Sequence, residues 1–467
     1  MILRKRQPPN QAVVFASKHN LLKGRFFHIK MREIYTQGSI AEFEHDGDDL
    51  DCYYLPTRAI SFGVNKGGLV VLPETQEIKV YVGQLEKVLN QIKVRAPQTI
   101  LIPDSNYFLD LALLEHISLL SEKLTRGESY SVWPYARTEN LDSWVEELKS
   151  SGFDISVALP HRVYFEDLKH PQHRGGWGRW VDDPGELSFA ERYGLPYPVS
   201  WLGRGLNQVK EAYTRVVQRT GKNGALLKPV FSAGGFTIKR VGSEEELIRH
   251  YKGLEASGSL KLFGQEMPIE VQEEINDIVE LGSVQYRGQE ILTPGKMSLQ
   301  LVEENRWVGN IFNNGLSKEV KKEVGQIFAN FSRGMHRALD GGFYGWGGVD
   351  FAVRKGSEMP IILEHNGARV TGAHPAISLA EALGVSDQTF LIRKTPGTPE
   401  CDLETLWRML EKEGISYNPD KRSGVFPLLW IEGAGFLFSV GENESEVLRI
   451  TEKAIELVHA NGFSRHE

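Results

Sequence analysis

Residues 345–374, GWGGVDFAVRKGSEMPIILEHNGARVTGAH, read as two strands of a hairpin that aim acidic groups at one point, and that reading decides the fold. Alternation sets Asp350 on the face opposite Val349 and Phe351, and sets Glu364 and Asn366 together opposite Leu363 and His365. With the turn centred on Gly356 and Ser357, Asp350 stands across from Glu364, where two carboxylates repel unless something positive lies between them. Solvated or salt-bridged acids are the plain alternative. Against it stands Arg369, close behind Asn366, a guanidinium able to hold a phosphate or carboxylate bidentately. Three oxygen-bearing side chains and no sulfur suit a hard ion such as magnesium, carrying phosphates, better than zinc.

Upstream, Lys318 to Leu339 reads as a long amphipathic helix with Val320, Val324, Phe328, Phe331, Met335 and Leu339 near helical spacing, a core stripe. Further back, residues 224–241, GALLKPVFSAGGFTIKRV, read as strand, Gly-containing turn, strand. Lys228 sits there among apolar neighbours, which is costly unless its ammonium reaches an anion or the domain surface. Ser232, Ala233, Gly234 and Gly235 follow, small enough for backbone N–H groups to approach a phosphate or for the turn to close over it. An ordinary hairpin with a snorkelling lysine is the alternative. Ser243, with Glu246 behind it, opens a helix to Tyr251 by a capping box, and a further strand precedes residues 271–275, VQEEI.

The first part of the chain carries short apolar runs, VVFA at 13–16, AISFGV at 59–64, GLVVLP at 68–73, TILIPD at 99–104 and ISVALP at 155–160. They alternate with helical patterns at Tyr107–Leu124 and Leu141–Ser150, which predicts an α/β layer with a mostly parallel sheet. Residues 168–186, LKHPQHRGGWGRWVDDPGE, have neither period and read as a linker or mobile loop at a domain boundary. The tail from about 396 reads as helix, strand pair and a final helix from Glu444 to Asn461.

Composition excludes several classes of function. With 41% hydrophobic and 25% charged residues the chain is globular in type, and no apolar run reaches bilayer-spanning length, so no membrane partner is expected. MILRKRQPPN lacks the apolar stretch of a secretory signal, so a cytoplasmic location is expected. Cys52 and Cys401 are too few for a disulfide framework or a zinc cluster. Fifty-four Lys and Arg against 61 Asp and Glu give a net charge of −7, with no dense basic block, which argues against nucleic acid and for a small-molecule partner.

The order of these parts resembles an ATP-grasp domain over about 190–390: strand Lys-Pro, Gly-rich turn, strand, VQEEI with Glu280 behind it, long helix, then the Asp, Glu-x-Asn hairpin and a downstream Arg. The tail GISYNPDKRSGVFPLLWIEGAGFLFSVGENESEV resembles the C-terminal piece of the ATP-grasp peptide ligases of the pheganomycin-ligase type. EHNGARVTGAHPAISLAEALGV is similar to the matching stretch of biotin carboxylase and carbamoyl-phosphate synthetase. The resemblance implies an α/β fold, α+β in the ATP-grasp part: an N-terminal Rossmann-like domain at 1–165, an ATP-grasp domain of two α+β lobes at 166–395, and a small C-terminal α/β cap at 396–467.

It also implies roles. Lys228 contacts the ATP phosphates under the flap formed by Ser232, Gly234 and Gly235. Gln272, Glu273, Glu274 and Ile275 line the adenine, chiefly as a strand end offering backbone groups, and Glu280 holds the ribose. Asp350, Glu364 and Asn366 coordinate magnesium, with manganese as the alternative, and Arg369 and Lys228 stabilise the transferred phosphoryl group. The chain departs from the pattern in three places. Arg369 follows Asn366 by three residues where relatives have two. Ala373 stands where carboxylase-type relatives carry an acid, which disfavours carboxylation. The second phosphate-binding Lys has no counterpart, Arg179 being the nearest cation. The implied reaction is ATP-dependent joining of a carboxylate and an amine, an amino acid or short peptide among them, through an acyl phosphate with release of ADP and phosphate. A ligase acting on a non-peptide acid and a nucleotide-binding regulatory protein without turnover are the alternatives, and a homo-oligomer is compatible with all three.

Overall fold

The computed structural model describes residues 32–36, 59–103, 109–134, 137–158, 174–230, 238–258, 260–262, 265–288, 292–293, 296–303, 306–313, 316–338, 345–357, 359–367, 372–395, 401–431 and 434–460. All of them lie within one unit, Met31–Glu467. Among the described residues no helix is long and apolar enough to cross a membrane.

The first sheet has five strands in the order β3-β2-β1-β4-β5, namely β1 (Arg32–Thr36), β2 (Leu69–Pro73), β3 (Gln98–Ile102), β4 (Ser129–Trp133) and β5 (Asp154–Val157). Every pairing is parallel, as the alternating strand and helix pattern predicts. Its helices are α1 (Ala59–Gly63), α2 (Gln76–Gln91), α3 (Leu109–Glu115), α4 (Ile117–Ser121) and α5 (Glu139–Ser150). Thr75 and Thr138 cap α2 and α5, each side chain accepting from the backbone N–H three residues on. The strand is buried on both faces: Leu69 and Val71 enter a core with Leu141, Trp144 and Leu148, whereas Val70 and Leu72 enter one shared with Leu406, Phe426 and Phe438.

Two expectations fail here. The run at 59–64 is the short helix α1, not a strand, because a brief apolar segment buried on all sides fits either form and periodicity cannot separate them. The helical pattern at Tyr107–Leu124 is broken into α3 and α4 at His116. The expected strand at 13–16 lies outside the described residues.

The second sheet is small, in the order β6-β7-β12-β8-β9: β6 (Arg179–Trp180), β7 (Ser200–Gly203), β8 (Ala225–Pro229), β9 (Lys239–Val241) and β12 (Ile269–Glu273). A short hairpin of β10 (Lys261–Leu262) and β11 (Gln265–Glu266) precedes β12. Helix α6 (Phe189–Arg192) leads into the sheet, and α7 (Gly205–Thr220) and α8 (Glu244–Ala256) pack on one face around Val209, Val216, Leu227, Leu247 and Val271. Ser243 caps α8 as its sequence predicts. Residues 174–186 are not a free linker: Trp177, 1% exposed, packs against Phe189, Tyr197 and Phe331, and Trp180 is buried in β6. Two isolated indoles anchor that segment without creating any period to read. Residues 168–173 lie outside the described set.

Among the described residues the third sheet has nine strands. Its path is β18-β17-β13-β15-β16-β19-β21-β20, with β14 (Leu292–Thr293) beside β13. The strands are β13 (Ile278–Gly288), β15 (Met297–Glu303), β16 (Arg306–Phe312), β17 (Gly345–Arg354), β18 (Ile361–Asn366), β19 (Thr389–Thr395), β20 (Gly424–Ile431) and β21 (Ala434–Gly441). Helix α9 (Lys318–Ala338) covers one face through Val320, Val324, Phe328, Phe331 and Met335, each contributing about 1.5–3 kcal/mol by burial. On the other side α10 (His374–Ala382) joins the core of α1 and α2. The tail supplies α11 (Leu403–Lys412), β20, β21 and α12 (Glu444–Ala460), and its strands continue the same sheet by the β19–β21 pairing. The sheet therefore runs unbroken across the expected boundary at 395/396.

Candidate functional site

The β17–β18 hairpin has the register that alternation predicts. Asp350 pairs with Glu364 and Gly348 with Asn366, so both carboxylates and the amide share one face of the sheet. Directly opposed side chains in an antiparallel pair bring Cβ atoms about 4.5–5.5 Å apart. The turn closes between Arg354 O and Ser357 N at 3.0 Å, with Gly356 at a φ of +72° that a side chain would strain. A bulge between Asp350 and Phe351 absorbs the extra residue Leu363.

Amides hold Asp350 in place. Gln300 Nε2 donates to its Oδ1 at 2.8 Å and Asn366 Nδ2 donates to its Oδ2 at 3.1 Å. Behind Gln300 runs a polar row that crosses β13, β15 and β16. Ser283 Oγ lies 2.9 Å from Ser298 Oγ, Gln285 Nε2 donates to Ser283 at 2.8 Å, and Asn310 Nδ2 donates to Ser298 at 2.9 Å. Trp307 Nε1 donates to Asn310 Oδ1 at 2.8 Å. Ser283, Gln285, Ser298 and Asn310 are all buried. The strands of the first three, GSVQYRG at 282–288 and MSLQLVE at 297–303, alternate polar and apolar, which is the signal that finds them.

On the opposite face of the hairpin His365 belongs to the core. It is buried, its Nε2 lies 2.6 Å from Tyr286 Oη, and its ring packs against Trp177 and Phe331. His374 is buried likewise and stacks edge-on against Trp346.

Lys228 joins the small sheet to this hairpin. Its side chain is buried, and Nζ donates to Gln272 Oε1 at 3.2 Å and to the Leu363 carbonyl at 3.1 Å, one residue before Glu364. The neighbouring residue of β18 makes a second tie, Ile362 N to Pro196 O at 2.7 Å. The edge strand of the large sheet is thus covered by the small one at the point where its acids begin.

Register shows which other candidates join Lys228. Glu270 lies directly across from Lys228, and Gln272 is on the same face. Arg179 does not join them: it pairs with Trp201, which pairs with Val271, which pairs with Leu227, and that row faces α7 and α8. There Arg179 donates to both Glu191 oxygens at 2.9 and 2.7 Å and lies over the Trp201 ring. Arg179 thus lies on the helix-covered face, with the sheet between it and Lys228.

Of the strand-end residues, Gln272 alone among those in β12 turns its side chain toward Lys228. Glu273 falls on the helix-covered face and pairs with Lys222 at 2.6 Å, and Glu274 pairs with Arg240 at 2.8 Å. Ile275 follows the strand and is partly buried. Glu280 opens β13 beside a bulge and, by alternation, shares the face of Gly282 and Val353, opposite that of Asp350. Its Oε2 is buried with no hydrogen-bond partner among the described residues. Ser232, Gly234, Gly235 and Arg369 lie outside the described residues.

Among the described residues no group of three or more His, Cys, Asp or Glu side chains converges to hold a metal ion. The hairpin instead offers two carboxylates and an amide, a hard oxygen set.

No family model and no curated protein matches the chain. Solved structures do. Biotin carboxylase from Campylobacter jejuni in complex with an ATP ligand matches with a TM-score of 0.56 at 13% identity, over 92% of this chain and 91% of that one. The biotin carboxylase domain of Hydrogenobacter thermophilus 2-oxoglutarate carboxylase, bound to MgADP and bicarbonate, matches with a TM-score of 0.56 at 15% identity, over 91% and 89%. An N5-carboxyaminoimidazole ribonucleotide synthetase in its ADP complex matches with a TM-score of 0.51 at 12% identity, over 93% and 98%. At such identities the likeness is one of architecture, and the chain shares the α/β fold of these structures.

Proposed function

We propose that this chain is an ATP-dependent carboxylate–amine ligase. The observation that carries the reading is the Lys228 ammonium, 3.1 Å from the carbonyl next to Glu364 and on the same side of the small sheet as Gln272. One buried cation and two opposed carboxylates then lie at a single junction, as a magnesium nucleotide requires. The solved structures of similar fold are described with ATP, ADP and MgADP, which supports the same ligand class here.

Asp350, Glu364 and Asn366 fit a hard divalent ion, because all three present oxygen on one face and Gln300 fixes the Asp350 carboxylate. Magnesium bound there supplies neutralisation of phosphate oxygens as charge moves during transfer. Lys228 holds the phosphates, the flap at Ser232, Gly234 and Gly235 covers them, and Arg369 stabilises the transferred group. The strand end from Gln272 to Ile275 offers backbone groups to the nucleoside end. A substrate carboxylate oxygen attacks the γ-phosphorus and ADP leaves. An amine then attacks the acyl carbon and phosphate leaves, giving an amide. Exclusion of water protects the acyl phosphate meanwhile. Ala373 carries no acid or base, which favours an organic carboxylate over bicarbonate as the acid that is activated, with the amine of an amino acid or short peptide as the nucleophile.

A nucleotide-binding protein without turnover is the second reading, favoured by the commitment of Arg179 to Glu191 on the wrong face of the sheet. Purified protein incubated with ATP, magnesium and pooled amino acids separates the two. The ligase reading expects ADP and an amide product in equal amounts. ATP binding with no ADP above background would leave only the second reading standing.

A further inference from the structure

Glu270 is fully buried, at 0% exposure, on the face of the small sheet away from α7 and α8, directly across from Lys228. Tyr197 Oη donates to its Oε1 at 2.8 Å, and Gln272 Nε2 donates to the same oxygen at 3.3 Å. Gln272 in turn accepts from Lys228 Nζ at 3.2 Å through its Oε1. The Glu270 Oε2 is buried with no hydrogen-bond partner among the described residues, and so is Ser200 Oγ, one row along the same face.

A carboxylate at this strand position lies directly across from the buried Lys228 ammonium and counters its charge. Its neighbours in the same row, Trp180 and Leu202, pack together as a small apolar cluster. A buried carboxylate with one oxygen unpaired destabilises the fold relative to an apolar side chain of similar shape. What the carboxylate does achieve is orientation. It fixes the Gln272 amide with its nitrogen toward Glu270 and its oxygen toward Lys228, and so fixes the end of a lysine that would otherwise sample many rotamers. Tyr197 lies next to Pro196, whose carbonyl holds Ile362, so the same short segment anchors both the relay and the edge strand that carries Glu364.

We propose that Glu270 is a positioning residue for Lys228, acting through Gln272 to hold the ammonium where nucleotide phosphates bind. The inference rests on the nucleotide reading given above. It separates phosphate recognition from base recognition: the relay ends on Lys228 and touches no strand-end backbone group.

Titration calorimetry with ADP and with adenosine tests it on the full chain. Glu270→Leu is expected to weaken ADP binding about tenfold, the scale of one charge-assisted hydrogen bond, with adenosine binding unchanged. Glu270→Gln keeps the Oε1 acceptor for Tyr197 and Gln272 and is expected to restore ADP affinity to within about threefold of wild type. The double variant Glu270→Leu with Lys228→Met is expected to bind ADP no more weakly than Lys228→Met alone, because both changes cut one chain of contacts. Should Glu270→Leu fail to fold, Gln272→Leu cuts the relay at its middle and is expected to weaken ADP binding about tenfold. Equal ADP affinity in wild type and Glu270→Leu, equal loss for ADP and adenosine, or additive losses in the double variant would each overturn the inference while leaving the nucleotide reading intact. A wild-type protein that binds no ADP overturns both.

Discussion

The Lys228 ammonium and the Leu363 carbonyl, 135 positions apart in the chain and on different sheets, are hydrogen-bonded at 3.1 Å. Leu363 is the bulged residue of β18, and Glu364 follows it with its side chain on the Asp350 face. A cation from one sheet is therefore moored to the backbone that presents the acids of another, and in the proposed nucleotide reading ligand phosphates compete directly for that ammonium.

Replacing the lysine tests this mooring. Lys228→Met removes the charge, keeps most of the buried stem, and is expected to weaken ATP and ADP binding by about 1.5–3 kcal/mol, roughly 10- to 100-fold. Adenosine binding should hardly change. Calorimetric titration with the three ligands reads the difference.

The hairpin acids predict a magnesium-dependent gain in stability. With magnesium and ADP present, the melting temperature of the wild type should rise, since ligands that bind only the folded state stabilise it by mass action. Asn366→Ala and Glu364→Gln should each lose most of the magnesium-dependent part of that rise. Differential scanning fluorimetry with and without chelator measures it, and an undiminished rise in Asn366→Ala contradicts the metal assignment.

Gly282 supports the hairpin from beneath. A Cβ built on it falls 2.3 Å from the Phe351 ring, so Gly282→Ala is expected to destabilise the protein by about 1–3 kcal/mol through overpacking. Chemical denaturation reads the loss.

Asp402 gives a pH-dependent prediction. It caps α11 by accepting from Thr405 N at 2.8 Å, and it also accepts from Gln84 Nε2 of α2 at 2.8 Å, joining the tail to the first part of the fold. Burial raises its carboxyl pKa, but the hydrogen bonds from Thr405 and Gln84 and the charge of Arg408 more than reverse this, leaving it below the ordinary value. A carboxyl depressed in the folded state stabilises above its unfolded pKa, about 3.9 for Asp, and loses that contribution as pH falls through the folded value. Asp402→Ala should therefore cost about 1 kcal/mol near neutral pH, with the gap to wild type narrowing in acid, as denaturation across pH will read.

How much of this was legible in the sequence differs by element. The hairpin register followed from alternation alone, because Val349, Phe351 and His365 must face the core under α9 and that leaves Asp350, Glu364 and Asn366 on the other side. The helix stripe from Val320 to Met335 was equally plain. Lys228 was visible as a charge among apolar neighbours, but its partners were not, since Gln272 and Leu363 are remote in the chain. The face that Arg179 takes is hidden for the same reason: proximity in sequence to the expected position says nothing about it, and Trp201, Val271 and Leu227 decide it. Trp177 and Trp180 hid an anchored segment because single aromatic anchors leave no period. Glu270 went unread because a lone glutamate before VQEEI carries no signal until β8 is known to lie beside it.

In the proposed function Lys228 and the Asp350, Glu364 and Asn366 hairpin bind one magnesium nucleotide between two sheets. A crystal structure with magnesium and a non-hydrolysable ATP analogue is the decisive measurement. It is expected to show Lys228 Nζ on a phosphate oxygen and a magnesium ion about 2.0–2.1 Å from oxygens of Glu364 and of at least one of Asp350 and Asn366. A nucleotide bound elsewhere, or one bound in the crevice with Lys228 still on Leu363 and no metal at the hairpin, would contradict the proposed function.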